Sequence, residues 1–119
     1  TNTNAIIWDD IDALNRIMGK EDILKLLISV FLADVPNYIQ TLNDELNSQD
    51  LVSASRSAHA IKGVAGNLSA LALAEQAKGI EQACLAKVDI DEIHKLQAEL
   101  GQIFVMTCGV LNAWVSEHS

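Results

Sequence analysis

Hydrophobic positions along this chain recur at intervals of three and four residues, the signature of amphipathic helices. No stretch alternates with the period of two that a strand requires. Five helical segments follow from the pattern. Asp9–Met18 carries Ile11, Leu14, Ile17 and Met18 at helical spacing, opens with acidic residues that suit a helix N-terminus, and stops at Gly19. Glu21 to about Asn47 is long and strongly apolar, with Leu24, Leu27, Ile28, Phe31, Val35, Tyr38, Leu42 and Leu46 at helical spacing. Pro36 is expected to kink that segment or split it. Asp50 is the predicted N-cap of a third segment ending near Asn67. Ser69 is the predicted N-cap of a fourth, Ala70 to about Ala86, with Leu73, Ala77, Ile80 and Cys84 on one face. Asp89 or Asp91 starts the last, which runs to about Trp114 with Ile93, Leu96, Leu100, Ile103, Val110 and Trp114 inward. Short connections between long amphipathic segments imply antiparallel neighbours. The expected fold is therefore all-α: an up-down-up-down antiparallel four-helix bundle with a short additional N-terminal helix, forming one domain over residues 1–119.

Composition narrows the partners more than the fold. Half of the 119 residues are hydrophobic but only 4% are aromatic, so aliphatic side chains must fill the core. A net charge of −8 argues against nucleic acid, which demands a basic footprint. No apolar run approaches the roughly 18–20 residues of a membrane span, and no signal peptide is visible. Cys84 and Cys108 are read as buried or half-buried thiols of a reducing compartment, not as a disulfide. The chain starts Thr1-Asn2-Thr3-Asn4 without a methionine, which suggests a piece of a longer protein.

The candidate chemistry lies in the third segment, where Ala58 to Ala70 reads AHAIKGVAGNLSA. At about 100° per residue, Ala54, Ala58, Ile61 and Ala65 form a core-facing stripe. His59 lies well off it. Ser55, Gly63 and Gly66 share its face, flanked by Arg56 and Lys62. A glycine inside a helix costs about 1 kcal/mol relative to alanine, so two beside one imidazole suggest clearance for a second molecule. Charge agrees. Between Asp50 and Glu75 there is no acidic residue, so that window is +2 and the remainder of the chain −10. An anion is most favoured there.

Those residues resemble the signature of histidine-containing phosphotransfer (HPt) domains, His-x-x-Lys-Gly-x-x-Gly followed on the next helix by an apolar-Glu-x-Ala pattern. Here the positions are His59, Lys62, Gly63 and Gly66, then Ile80-Glu81-Gln82-Ala83. The resemblance covers nearly the whole chain; Ser69 departs from it, since many members carry glycine there. It implies a phosphorelay intermediate in which His59 accepts a phosphoryl group from the aspartate of one response-regulator receiver domain and passes it to another. Lys62 would hold the phosphoryl oxygens, Arg56 would add attraction, and Glu81 would orient the ring. No cofactor is expected on this chain, with Mg²⁺ brought by the receiver, and no autonomous kinase activity. The resemblance also implies a cytoplasmic monomer, tethered to the inner membrane if the parent is a hybrid sensor kinase; a free-standing protein is the alternative. His94 and His118 have no cysteine or histidine at ligand spacing and are expected to be solvated. Ile7, Trp8, Ile11 and Leu14 either form an apolar docking rim or cap the core. A hydrolase is disfavoured, because no second catalytic group accompanies His59. The competing reading is a non-phosphorylated helical adaptor, in which His59 is an ordinary surface residue.

Overall fold

The computed structural model describes residues 6–119, which form five helices and no strand. They are α1 (Asp10–Arg16), α2 (Glu21–Asn47), α3 (Leu51–Asn67), α4 (Leu71–Ala86) and α5 (Ile90–Glu117). Helix α3 packs most extensively on α4 and then α2, α4 packs on α5, and α5 closes the ring on α2. This is the expected antiparallel four-helix bundle, with α1 laid against its end.

The core is aliphatic. Leu24, Ile28, Leu42 and Leu46 of α2 meet Ile61 of α3, Leu73 and Ile80 of α4, and Ile93, Leu100 and Leu111 of α5, all essentially without solvent contact. Helix α3 contributes mostly small residues: Ala54, Ala58 and Ala65 are fully buried. Small side chains let its backbone lie close to both neighbours, so its outer face is held on a well-fixed axis.

Several sequence expectations are corrected. Of the two outcomes expected at Pro36, the split does not occur: helix α2 runs unbroken through it, with Pro36 on the exposed side, where water can satisfy the carbonyl its missing N–H leaves free. Leu27 and Tyr38 are 39% and 38% exposed, flanking the inward stripe. On α5, Thr107 and Leu111 are buried and Val110 lies outside, because a straight helix drifts round its own axis over seven turns. Asp50 and Asp89 are N-caps as expected, their carboxylates accepting from the N–H groups of Ser53 and Asp91. Ser69 is no cap: it adopts φ +62°, is fully buried, and donates its hydroxyl to Asp12.

That serine belongs to a clasp on the N-terminal segment. Trp8 is buried, donates its indole N–H to the Leu68 carbonyl at 2.8 Å, and meets Trp114 edge-on at 6.0 Å. The Asp9 N–H donates to the Ser69 carbonyl and the Ala72 N–H to the Ile6 carbonyl. Of the two readings of the N-terminal apolar residues, Trp8 is core capping, while Ile11 remains 69% exposed. Both thiols are free; burial pushes Cys84 and Cys108 above the usual thiol range. By length and composition α5 is apolar enough to cross a membrane, contrary to the sequence expectation, but its inner face is part of this core, and core helices meet the same criterion.

Candidate functional site

His59 projects from the outer face of α3, with its side chain 64% exposed. The ring is not loose. Its Nδ1 lies 2.9 Å from Oε2 of Glu81 on α4, and the other oxygen of that carboxylate, Oε1, accepts from Lys62 Nζ at 3.2 Å. One carboxylate thus joins the imidazole and the ammonium across the α3–α4 seam. Lys62 follows His59 by one turn, so both reach the same point on α4.

Glu81 is 18% exposed as a side chain. Burial works against its charge, but the hydrogen bonds from Lys62 and His59 outweigh this and hold its carboxyl below the ordinary range. A carboxylate only accepts, so the proton of a neutral His59 resides on Nδ1. In that tautomer Nε2 carries the ring's lone pair, on a side chain that is mostly exposed. The charge window read from the sequence is incomplete at this point. It contains no acid in linear order, yet α4 brings Glu81 directly to the pair.

Gly63 lies one turn beyond His59, and a β-carbon built on it meets nothing within 4 Å; the same holds at Gly66. Neither glycine is required by the fold, so the smooth surface they leave faces outward. Arg56 is exposed, with no ion-pair partner among the described residues. Ser55 does not join the site: it is buried, and its hydroxyl donates to the Val52 carbonyl at 2.7 Å.

A groove of about 230 Å³ runs along the α2–α3 seam, lined by Leu27, Val30, Phe31, Asp34, Tyr38 and Val64, with Asn67 and Leu68 at its end. Val64 and Asn67 follow His59 by five and eight residues, placing the groove within about 12 Å of it along the helix axis. Leu27 and Tyr38 carried its signal in the sequence, but periodicity alone did not separate them from the core.

The other histidines are engaged elsewhere, and the expectation that they are simply solvated is corrected. His94 Nδ1 pairs with Gln97 at 2.7 Å. His118 stacks on Trp114 at 4.1 Å, with Nδ1 2.8 Å from the Trp114 carbonyl oxygen. Among the described residues no group of three or more histidine, cysteine or acidic side chains is placed to hold a metal ion.

Comparison with known proteins matches residues 26–104 to the family described as Hpt domain. The phosphorelay protein LuxU of Vibrio harveyi is 24% identical over 115 residues, covering 97% of this chain and 99% of that protein. The crystal structure of histidine-containing phosphotransfer protein B (HptB) from Pseudomonas aeruginosa PAO1 superposes with a TM-score of 0.85 at 20% identity, over 93% of this chain and 96% of the other. The HPT domain of a sensor hybrid histidine kinase from Shewanella gives 0.78 at 13% identity, over 93% and 95%.

Proposed function

The chain belongs to the Hpt domain family, and from that membership and the geometry of the α3–α4 face we propose that His59 Nε2 is the phosphoryl carrier. The domain is a phosphorelay intermediate of two-component signalling. In this reading the group arrives from the aspartate of one response-regulator receiver domain and leaves to another. The observation that carries the residue assignment is the Glu81–His59 hydrogen bond, which fixes the proton on Nδ1 and frees Nε2 beside an open surface.

The step needs positioning and charge neutralisation more than covalent assistance. The Nε2 lone pair forms the N–P bond as the P–O bond to the receiver aspartate breaks, and the electron pair departs with that carboxylate. The ring becomes a phosphoimidazolium whose Nδ1–H still donates to Glu81, so the new positive charge meets a negative one already in place. Lys62 uses one N–H on Glu81 and has two more for the phosphoryl oxygens. Arg56 adds attraction at longer range. Mg²⁺ comes with the receiver. Transfer onward reverses these events, and no kinase activity resides in this domain. The α2–α3 groove and the open surface around Gly63 take the apolar docking face of the receiver. We place the domain in the cytoplasm, free or within a hybrid sensor kinase.

The test is incubation with a receiver domain charged by acetyl phosphate and Mg²⁺. Acid-labile, base-stable phosphate should appear on this chain and then chase onto a second receiver. No label on the folded domain would favour the adaptor.

A further inference from the structure

The groove beside His59 is apolar but for its one charged residue, Asp34. Val30, Asp34 and Tyr38 follow one another by single turns of α2, so the carboxylate stands between two apolar side chains on one face. Asp34 is the only charged residue between Lys25 and Asp44. It is exposed, and no ion pair joins it to any described residue. Its place relative to the histidine follows from the packing. Ser57 of α3 donates to Glu45 of α2, which sets the register of these antiparallel helices. Asp34 precedes Glu45 by eleven residues, so it stands level with Leu68, which lines the same groove. That level is nine residues beyond His59, a rise of about 14 Å along the helix.

Desolvation decides what this carboxylate requires of a partner. On the phosphotransfer reading, on which this inference rests, a receiver domain covers the groove and displaces its water. A wholly apolar surface laid over Asp34 strips the charge of hydration and returns nothing. A lysine or arginine brought to the same point turns the charge into an attraction. The other end of the face has the opposite sign, since Arg56 and Lys62 flank His59 where the receiver's aspartate must arrive. The docking face is thus polarised along its length. A receiver turned end for end, or one without a cation at the groove, meets an unpaired or like charge and is rejected.

We propose that Asp34 is the specificity determinant of the docking face, pairing with a lysine or arginine that the receiver carries beside its apolar docking residues. The pair acts on recognition and orientation and leaves the chemistry to His59, Lys62 and Glu81.

The domain is charged with phosphoramidate, a donor too small to need the groove, and single-turnover transfer to a receiver domain is followed as receiver concentration rises. Asp34→Lys should keep native circular dichroism and raise the receiver concentration at half-maximal rate by about tenfold or more, with the saturated rate retained. Asp34→Asn should raise it less. Glu99→Lys, the same change of charge at an exposed position of α5, should leave it unmoved. One Lys→Glu or Arg→Glu substitution on the receiver's docking face should restore transfer to Asp34→Lys, as exchanging the two signs of a contacting pair requires. An unchanged midpoint in Asp34→Lys overturns the proposal, as does a raised midpoint that no receiver charge reversal restores. A fall in saturated rate at an unchanged midpoint also overturns it, by placing Asp34 in the chemistry. Wild-type dimers that Asp34→Lys dissolves, with receiver transfer unaltered, would give the groove to a second copy instead. A folded domain that takes no label at His59 from phosphoramidate or receiver defeats the phosphotransfer reading itself; normal transfer indifferent to Asp34 defeats this inference alone.

Discussion

Along α3 the inward side removes Ala54, Ala58, Ile61 and Ala65 completely from water. The outward side leaves His59 64% exposed, beside a glycine with open space where a β-carbon would stand. The inner side follows the rules of packing, with small residues that bring three helices together. The outer side breaks a rule of helix propensity and gains nothing inside the molecule for it. The same seventeen residues thus carry two separable properties, and substitutions on the two sides should change different measurements.

The largest separation is expected at His59. His59→Gln should abolish phosphoryl acceptance while its melting curve stays within about 0.5 kcal/mol of wild type, since an exposed polar residue contributes little to folding. Retained labelling would move the acceptor to His94 or His118. Ile61→Ala is the inverse case. Removing a fully buried side chain should cost about 2–5 kcal/mol in denaturant unfolding, while the molecules that remain folded transfer normally. Next comes the pair held by Glu81. Lys62→Ala should slow single-turnover transfer by about 1–3 kcal/mol of transition-state stabilisation and scarcely move the melt; equal rates would remove Lys62 from the mechanism.

Gly63→Ala sharpens the comparison most, because the two measurements should move in opposite directions at one position. Stability should rise by up to about 1 kcal/mol through helix propensity, since the methyl group meets nothing. Transfer should slow, because that methyl stands where the receiver must approach. A wild-type transfer rate would show that clearance is not the glycine's role. The smallest effect concerns pH. Glu81 is held below the ordinary carboxylate range, so its ion pairs stabilise the fold above the unfolded pKa of about 4.3, and that stability is lost as pH falls through the lower folded value. Melts in acid should fall less steeply for Glu81→Gln than for wild type.

The helical pattern alone located all five helices, because amphipathic periodicity is written locally and the core stripe of α3 is a simple four-and-three repeat. What it missed depends on residues distant in sequence. Ser69 looks like a cap, but its hydroxyl goes to Asp12, 57 positions away, and that clasp holds it at positive φ. Leu27 and Tyr38 share the spacing of the α2 core, yet their exposure depends on how closely α3 approaches. At the site, His59 and its glycines were legible because mid-helix glycines violate propensity. Glu81 was reachable only through resemblance to a family, since no local signal in α4 says that residue 81 meets residue 59. Ser55 shares the wheel position of the site but turns its hydroxyl back on its own helix, a choice helical angle does not determine.

The central claim is that Glu81 holds the proton on Nδ1 so that Nε2 of His59 carries the phosphoryl group. Nitrogen-15 and phosphorus-31 NMR of the domain, labelled at its three histidines and phosphorylated by a receiver, tests it at the level of single atoms. The account predicts one phosphorylated ring, His59, with phosphorus coupled to Nε2 and a proton retained on Nδ1. Phosphorus on Nδ1 of His59, or on His94 or His118, would contradict it.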